Sequence, residues 1–420
     1  MKADLIIFNA GQLLTCSSGG KAKRGREMLD VGLIENGGLA IKNGLIVGIG
    51  KSEEILQDFE AGELIDAVGK VVCPGFVECH THIVYAGNRL DEFELKIKGA
   101  DYLEILEAGG GIISTVRQTR KASLADLVEQ SRRRLDKMLS LGVTTCEIKT
   151  GYGLNTETEL KMLEAIFELD ETHPIDLIPT FLPAHAVPPE YKGNSGDYVD
   201  LICQEMLPAV NSRFQIPDSR FPFFVDVFCE KNAFDLKQSR KVLETAKSFG
   251  FGLKAHVDEF TNLGGARMAI ELGATSIDHL DAISEDEIRL LANSDCIGVI
   301  TPTVNFNFGS AEFADARKLI DAGCAIAVST DFNPGSAPCP SLPLAMAIAC
   351  RYQKLLPVEA FNAITINAAF AVGLEEKVGS IETGKQADIL ILETDDYRQL
   401  AYEFGGNLIK NIFKKGKILQ

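Results

Sequence analysis

The sequence has no excess of basic residues and no long apolar run, and each absence excludes a class of protein. Its 420 residues contain 42 Lys and Arg against 59 Asp and Glu, which gives a net charge of −17. Nonspecific binding to nucleic acid or to an anionic membrane surface needs positive charge, so we expect neither as a partner. No window approaches the roughly 18 consecutive apolar residues that a membrane-spanning helix requires.

Targeting signals and paired cysteines are also missing. The first residues, Met1 to Asn9, are typical of a short strand and lack a signal-peptide core with a small-residue cleavage site. The ten cysteines are scattered singly, and no CxxC pair occurs. Several lie in apolar runs, where a thiol behaves as a small hydrophobic group. This usage predicts a reduced, cytoplasmic enzyme.

The middle of the chain alternates apolar strand candidates with amphipathic helical stretches. This pattern is typical of a parallel sheet that is buried on both faces. Eight such units over roughly 300 residues predict a (β/α)8 TIM-type barrel, with an open, doubly wound sheet as the alternative. No GxGxxG follows the first strand, so the dinucleotide-binding fingerprint is absent. The strand candidates are residues 71–77, 143–150, 176–184, 223–229, 252–257, 275–280, 296–301 and 325–330.

The two ends of the chain differ from the middle because both are rich in short strands. The dipeptide Asn43-Gly44 separates two apolar runs and is a strong hairpin signal. Near the other end, Gly384 to Asp388 leads into another apolar run. We therefore expect a small composite β-sandwich domain formed by residues 1–70 and 376–420, around a catalytic barrel of residues 71–375.

Histidine is rare in this sequence, and its placement is informative. Of only six histidines, five stand at the ends of predicted strands, which is where (β/α)8 barrels place their active sites. A single histidine at a strand end is more often a core residue, but five together indicate a site. Imidazole and carboxylate groups suit Zn²⁺ or iron, and a hydrolytic site keeps one position open for water. The five are His80, His82, His185, His256 and His279, whereas His173 lies in a helix–strand loop.

These residues resemble the amidohydrolase superfamily of metal-dependent barrel hydrolases. The resemblance rests on His80-Thr81-His82 after Pro74-Gly75-Phe76-Val77, together with His256, His279 and Asp331. Further segments, spread over nearly the whole chain, are similar to the imidazolonepropionase family. They are Asn88 to Phe93, Gly109 to Val116, Lys149 to Leu154, Ala184 to Pro188 and Asp331 to Ser336.

The resemblance implies a reaction and a set of residues. The family hydrolyses the cyclic amide of 4-imidazolone-5-propanoate to N-formimidoyl-L-glutamate in histidine degradation, by means of a metal-activated water. It implies one Zn²⁺ or Fe²⁺/Fe³⁺ ion per subunit and a homodimer. The implied metal ligands are His80, His82, His256 and Asp331, and the implied catalytic residues are Glu259, His279 and Asp331. The implied substrate contacts are Arg89, Tyr152, His185, Glu259, Asn333, Gly335 and Ser336.

Several alternatives stay open at this point. Asp331, Glu259 and His279 are all candidates for accepting the proton of the water, and each also has an ordinary structural explanation. A different amidohydrolase, such as a deaminase or a cyclic-imide or dihydropyrimidine hydrolase, would use the same metal frame. Glu230 and Lys231 follow the fourth strand, where members with two metals usually carry a bridging Lys or Glu, so the number of metals also stays open, and the resemblance favours one. A barrel that has lost its metal and serves only as a binding protein is the non-enzymatic alternative.

Overall fold

A computed structural model describes residues 1–99, 110–214 and 221–419. Gly109, which belongs to one of the segments quoted above, lies outside the described residues. The strands form two sheets of eight strands each. They are β1 Lys2–Leu14, β2 Leu33–Lys42, β3 Leu45–Lys51, β4 Glu60–Asp66, β5 Val71–Pro74, β6 Phe76–Glu78, β7 Val143–Lys149, β8 Asp176–Ala184, β9 Phe224–Cys229, β10 Gly252–Val257, β11 Ser276–His279, β12 Ile297–Ile300, β13 Ile326–Val328, β14 Ile389–Leu392, β15 Ile409–Lys414 and β16 Lys417–Ile418.

The helices lie mainly between the strands of the second sheet. Several begin at a side chain that accepts a hydrogen bond from the first turn, as Ser123, Asn155, Asp235 and Ser284 do. The α-helices are α1 Ser52–Asp58, α2 Leu90–Ile97, α3 Ile112–Lys121, α4 Leu124–Ser140, α5 Thr156–Thr172, α6 Ser195–Leu201, α7 Leu207–Phe214, α8 Leu236–Ser248, α9 Gly265–Leu272, α10 Glu285–Ala292, α11 Pro302–Phe308, α12 Ala316–Asp321, α13 Leu342–Tyr352, α14 Pro357–Ala363, α15 Ile366–Ala371 and α16 Gln399–Tyr402.

The second sheet is the predicted barrel. Strands β6 to β13 are hydrogen-bonded in chain order, and every neighbouring pair is parallel. Just beyond β6 and β13, Thr81 forms a parallel bridge with Phe332, and the His82 amide donates to the Phe332 carbonyl at 2.9 Å. These contacts join the first strand to the last. The (β/α)8 prediction is therefore confirmed, and the open, doubly wound sheet is excluded.

One strand prediction was wrong in detail, because residues 71–77 do not form a single strand. They form β5, which belongs to the other sheet, and β6, which begins the barrel. The chain divides at Gly75, whose amide donates to the Asp388 carbonyl at 2.8 Å. A Cβ atom at Gly75 would lie 2.2 Å from the Thr144 hydroxyl, so only glycine allows the chain to pass β7 this closely.

Strands from the two ends of the chain, together with β5, build one mixed sheet. The long strand β1 is its centre and pairs with β2 in antiparallel fashion and with β4 and β5 in parallel fashion. From the C-terminal end, β14 pairs with β5, and β15 and β16 continue the sheet. The predicted hairpin between β2 and β3 turns at Asn43 and Gly44, which have φ values of 51° and 78°. The described residues include no helix that is both long enough and apolar enough to cross a membrane.

A buried ion cluster joins this mixed sheet to the barrel. The Lys414 ammonium, on β15, lies 2.8 Å from Asp176 Oδ2 at the start of β8 and 2.6 Å from Asp388 Oδ2. Lys415 adds a contact of 2.9 Å to Asp176 Oδ1. Burial alone would raise the pKa of Asp176, but the Lys414 ammonium and its hydrogen bonds outweigh burial and lower that pKa to about 2.

We expect Asp176→Asn to lower the free energy of unfolding by about 2 kcal/mol at pH 7, because a depressed carboxylate pKa favours the folded state. The contribution is fully present above the unfolded pKa near 3.8 and is lost as the pH falls towards 2. Denaturant unfolding of both proteins between pH 7 and pH 3 measures it. A stability difference that stays constant below pH 4 would contradict the assignment.

Candidate active site

Five histidines meet at the carboxyl end of the barrel. The ring centroids of His80 and His82, which directly follow β6, are 5.3 Å apart. His256 on β10 lies 4.5 Å from His80, and His279 at the end of β11 lies 5.1 Å from His256. His185, just after β8, stacks on His82 with a centroid distance of 4.9 Å. Strand ends that are far apart in the sequence therefore bring their imidazoles to one point.

The donor atoms of this cluster have the spacing of metal ligands. His82 Nε2 lies 3.3 Å from both His80 Nε2 and His256 Nε2. Asp331 Oδ1 lies 3.5 Å from His80 Nε2 and 3.4 Å from His82 Nε2, and it has no hydrogen-bond partner among the described residues. Ligands about 2.0–2.1 Å from a tetrahedral zinc ion stand about 3.3–3.4 Å from one another. The residues present therefore fit a metal ion.

Carboxylates hold the outer nitrogens of two of these histidines. His80 Nδ1 donates to Asp278 Oδ2 at 2.6 Å, and His256 Nδ1 lies 3.1 Å from Asp226. A carboxylate only accepts, so both protons are on Nδ1 and both Nε2 lone pairs face the cluster. His82 Nδ1 has no hydrogen-bond partner among the described residues, so the stacked ring of His185 is the contact that orients it.

Burial sets the protonation states in this cluster. It lowers the pKa values of His80, His82 and His279 well below the usual value, and the nearby Lys149 ammonium lowers them further. These three histidines are therefore neutral at pH 7, which is the form that binds metal. Burial also raises the pKa values of Asp331 and Glu259, because both carboxyl groups are removed from water and lie among other acidic groups.

The chain turns sharply at the strand ends that carry these groups. Positive φ values occur at Asp258 (55°), His279 (84°), Leu280 (70°) and Asp331 (49°). Residues other than glycine rarely adopt this conformation, and such strain is concentrated at functional sites. Here the turns let the chain leave β10, β11 and β13 while the polar side chains remain at the mouth of the barrel.

Glu259 and His279 lie beside the candidate metal ligands. Glu259 Oε2 is 3.9 Å from His279 Nε2, and the Glu259 side chain is 12% exposed. His279 Nδ1 contacts the Thr301 hydroxyl at 3.1 Å, whereas its Nε2 has no hydrogen-bond partner among the described residues. His279 also forms a second possible ligand group with His80 and Asp331. A carboxyl group and an imidazole nitrogen are therefore both available to exchange protons next to the metal position.

Arg89 stands on the other side of the barrel mouth, in the loop after β6. Its Nε and Nη2 donate to the two carboxylate oxygens of Glu92, at 2.7 and 2.5 Å. Its Nη1 approaches Gly335 so closely that a Cβ atom there would lie 1.9 Å away. Tyr152 is buried, with its ring centroid 5.4 Å from that of His185. Contacts of this kind bring the loops after the first, second, third and last barrel strands together.

The loop from Asp331 to Ser336 is organised by the side chain of Asn333. Its Oδ1 accepts hydrogen bonds from the Gly335 and Ser336 amides, both at 2.8 Å. Its Nδ2 donates to the Asp331 carbonyl and to the Ser336 hydroxyl, both at 2.7 Å. Asn307 on α11 donates to the Ser336 carbonyl at 2.8 Å. The Asn333 amide thus shapes the loop that carries the carboxylate ligand.

Sequence reasoning missed four groups that hold this site: Asp226, Asp278, Lys149 and Asn307. The aspartates and the lysine are buried polar residues of three barrel strands, and the strand that contains Asp226 is otherwise apolar. An acidic residue in such a strand, as in Phe224-Val225-Asp226-Val227, is costly to bury without a partner, and that cost was the available signal. Asn307 lies on helix α11, directly after the seventh barrel strand.

Comparison with known proteins defines the class. Residues 232–419 match a model described as the amidohydrolase family. An adenosine deaminase from Xanthomonas campestris, solved with bound zinc, superposes with a TM-score of 0.71 at 19% identity and covers 99% of this chain and 93% of its own. This likeness shows the shared fold.

Two relatives define the family more narrowly. The imidazolonepropionase of Chloroflexus aggregans is 51% identical over 99% of this chain and 98% of its own length. The imidazolonepropionase of Herpetosiphon aurantiacus is 49% identical over 100% of this chain and 97% of its own length. The chain belongs to the imidazolonepropionase family and is a hydrolase that acts on carbon–nitrogen bonds.

We expect His80→Ala to abolish stable zinc binding, because it removes the imidazole that contacts both His82 and Asp331. The matched control is His173→Ala, since His173 is paired with Asp136 at 3.2 Å, away from the cluster. Elemental analysis after dialysis measures the metal content. A normal zinc content in His80→Ala would remove this residue from the ligand set.

Proposed function

We propose that this site hydrolyses 4-imidazolone-5-propanoate to N-formimidoyl-L-glutamate, a step in histidine degradation. The observation that carries the proposal is the convergence of three imidazole Nε2 atoms and Asp331 Oδ1 at the mouth of the barrel. Membership of the imidazolonepropionase family supports it. The reaction adds water to a ring carbonyl and breaks the adjacent carbon–nitrogen bond.

The proposed cofactor is one zinc or iron ion per subunit, held by His80, His82, His256 and Asp331. Three imidazole nitrogens and one carboxylate oxygen suit either ion, and their spacing supports this assignment. When bound, such an ion is a Lewis acid that lowers the pKa of water and so supplies a nucleophile near neutral pH.

The remaining steps are proton transfers for which this chain provides the groups. Asp331 accepts a proton from the attacking water as the new carbon–oxygen bond forms. Glu259 passes a proton to the ring nitrogen as the carbon–nitrogen bond breaks, and its raised pKa suits it to donate. With the Thr301 hydroxyl donating to Nδ1, the Nε2 proton of His279 faces the site and stabilises the charge that develops on the carbonyl oxygen.

The propionate group of the substrate requires a cation, and Arg89 is the proposed partner. Glu92 occupies two of its nitrogens, which fixes the plane of the guanidinium and leaves Nη1 towards the loop that contains Gly335. A held guanidinium loses little conformational entropy when it binds a carboxylate. Tyr152 and His185 would contact the ring. Gly335 and Ser336 would lie along the carboxylate, in the loop that Asn333 holds.

The setting of the enzyme is also part of the proposal. All ten cysteines are free and eight are buried, which supports a reducing, cytoplasmic compartment. The family relationship supports a homodimer, and the net charge of −17 disfavours nucleic acid as a partner. The proposed division is a β domain of residues 1–70 and 376–420 beside a catalytic domain of residues 71–375, and strand β5, Val71–Pro74, is the part of the catalytic range that lies in the mixed sheet.

Turnover of the imidazolone tests the activity. The zinc-loaded protein should remove the ultraviolet absorbance of 4-imidazolone-5-propanoate. Glu259→Gln should lower kcat by about 10²- to 10⁴-fold, because the variant lacks the proton that Glu259 transfers, and its zinc content should be unchanged. Absence of turnover by the metal-replete wild-type protein would favour a different substrate or a binding role. Loss of zinc from Glu259→Gln would instead make Glu259 a ligand.

We expect Arg89→Met to raise KM at least tenfold with a smaller effect on kcat, because the carboxylate of the substrate loses its charged partner. The control is Arg133→Met, since Arg133 forms only an exposed pair with Glu129 on helix α4. Initial rates over a range of substrate concentration separate the two constants. An unchanged KM would rule out this role for Arg89.

A further inference from the structure

A fully buried lysine lies directly behind the metal ligands. Lys149 ends β7, and its side chain is completely inaccessible to solvent. The ammonium lies 2.7 Å from Glu147 Oε1, 2.8 Å from Asp226 Oδ2 and 3.6 Å from Asp278 Oδ2. Three carboxylates therefore share one cation, and none of them is exposed. The proton transfers proposed above do not use this lysine.

Two of these carboxylates are the ones that hold metal-binding histidines. Asp226 presents Oδ2 to Lys149 and Oδ1 to His256 Nδ1. Asp278 Oδ2 faces both Lys149 and His80 Nδ1, and its Oδ1 accepts from the Ser276 hydroxyl at 2.7 Å. The ammonium thus joins two separate carboxylate–histidine pairs.

The third carboxylate acts on the backbone between His80 and His82. Glu147 Oε2 accepts a hydrogen bond from the Thr81 amide at 3.3 Å. The Thr81 hydroxyl donates to the Glu147 carbonyl at 2.7 Å, and the Lys149 amide donates to the Thr81 carbonyl at 2.8 Å. All three carboxylates around Lys149 therefore connect it to a histidine ligand or to the segment that carries two of them.

We propose that Lys149 is a positioning residue for the metal centre, which it organises by fixing Asp226, Asp278 and Glu147. This inference rests on the proposed metal site and concerns its geometry. Without the ammonium, the two aspartates would repel each other. The His80 and His256 rings, which these aspartates hold, would then no longer be fixed relative to each other. Partners that orient ligand histidines typically affect metal affinity by about 10- to 100-fold.

A charge-matched variant separates this role from simple charge compensation. Lys149→Met alone adds net negative charge near a cation, which by itself would favour metal binding and obscure the geometric effect. Lys149→Met combined with Glu147→Gln removes one charge of each sign, so the net charge equals that of the wild type. The glutamine keeps an oxygen that can accept from the Thr81 amide.

The control for losing a buried lysine is Lys414→Met. Lys414 also joins two buried carboxylates, but these lie at the junction of the mixed sheet and the barrel. Both variants should be less stable than the wild type, so a loss of stability alone does not distinguish them. Only a change at the metal centre does.

The measurement is the zinc dissociation constant, by competition with a chromophoric chelator, together with the visible spectrum of the Co²⁺-substituted protein. We expect the charge-matched variant to bind zinc at least tenfold more weakly and to have an altered Co²⁺ spectrum. Lys414→Met should keep both properties of the wild type. Unchanged affinity and spectrum in the charge-matched variant would overturn the proposal.

A second variant serves if the charge-matched protein does not fold. Lys149→Gln keeps a donor in the same position but removes the cation, and it too should have an altered Co²⁺ spectrum; an unaltered one would overturn the proposal. A wild-type protein that binds neither zinc nor iron would overturn this proposal and the metal site together. A wild-type protein that binds zinc without hydrolysing the imidazolone would contradict only the proposed function.

Discussion

His80 Nε2 and His256 Nε2 each lie 3.3 Å from His82 Nε2. Because His80 and His256 carry their protons on Nδ1 and His82 Nε2 can carry at most one, at least one of these contacts brings two repelling lone pairs together, and the protein must hold it by other contacts. Here each of the three histidines is restrained from behind. His80 and His256 are each bound to an aspartate, and His82 is stacked on a neighbouring ring. A cation bound among the nitrogens removes this repulsion. The fold maintains the repulsion in the absence of metal, so its relief adds to the free energy of metal binding.

Bringing Asp331 to the histidines also requires the barrel to close. Asp331 can reach the histidines only if the last strand lies beside the first. Glu78, at the end of β6, accepts hydrogen bonds from the Thr330 hydroxyl at 2.7 Å and from the Ser329 hydroxyl next to it. A buried carboxyl group bound in this way is costly to leave without partners. Its contacts fix the register between the two strands whose ends supply three of the four proposed ligands.

Periodicity was sufficient to predict the fold because parallel barrel strands are buried on both faces and are therefore continuously apolar. Seven of the eight strand candidates appear with ends shifted by at most two residues, and the eighth divides at Gly75. The histidines could be grouped because carboxyl ends of parallel strands share one face. The partners Asp226, Asp278 and Lys149 could not be paired, because contacts between strands depend on the stagger of the barrel. The role of Asn333 within its own loop could not be predicted either. An amide near a metal ligand can hold the loop or contact the substrate, and the sequence does not distinguish these two roles.

The close approach of Arg89 to Gly335 brings together the loop after β6 and the loop after β13. One loop carries Arg89, the proposed partner of the substrate carboxylate. The other begins with Asp331, a proposed metal ligand, and needs a residue without a side chain four positions later. Any enlargement at position 335 would displace the guanidinium and disturb the loop of Asp331 at the same time. Evolution towards a substrate with a different acidic side chain therefore cannot proceed through substitution of Arg89 alone. It requires substitutions in both loops.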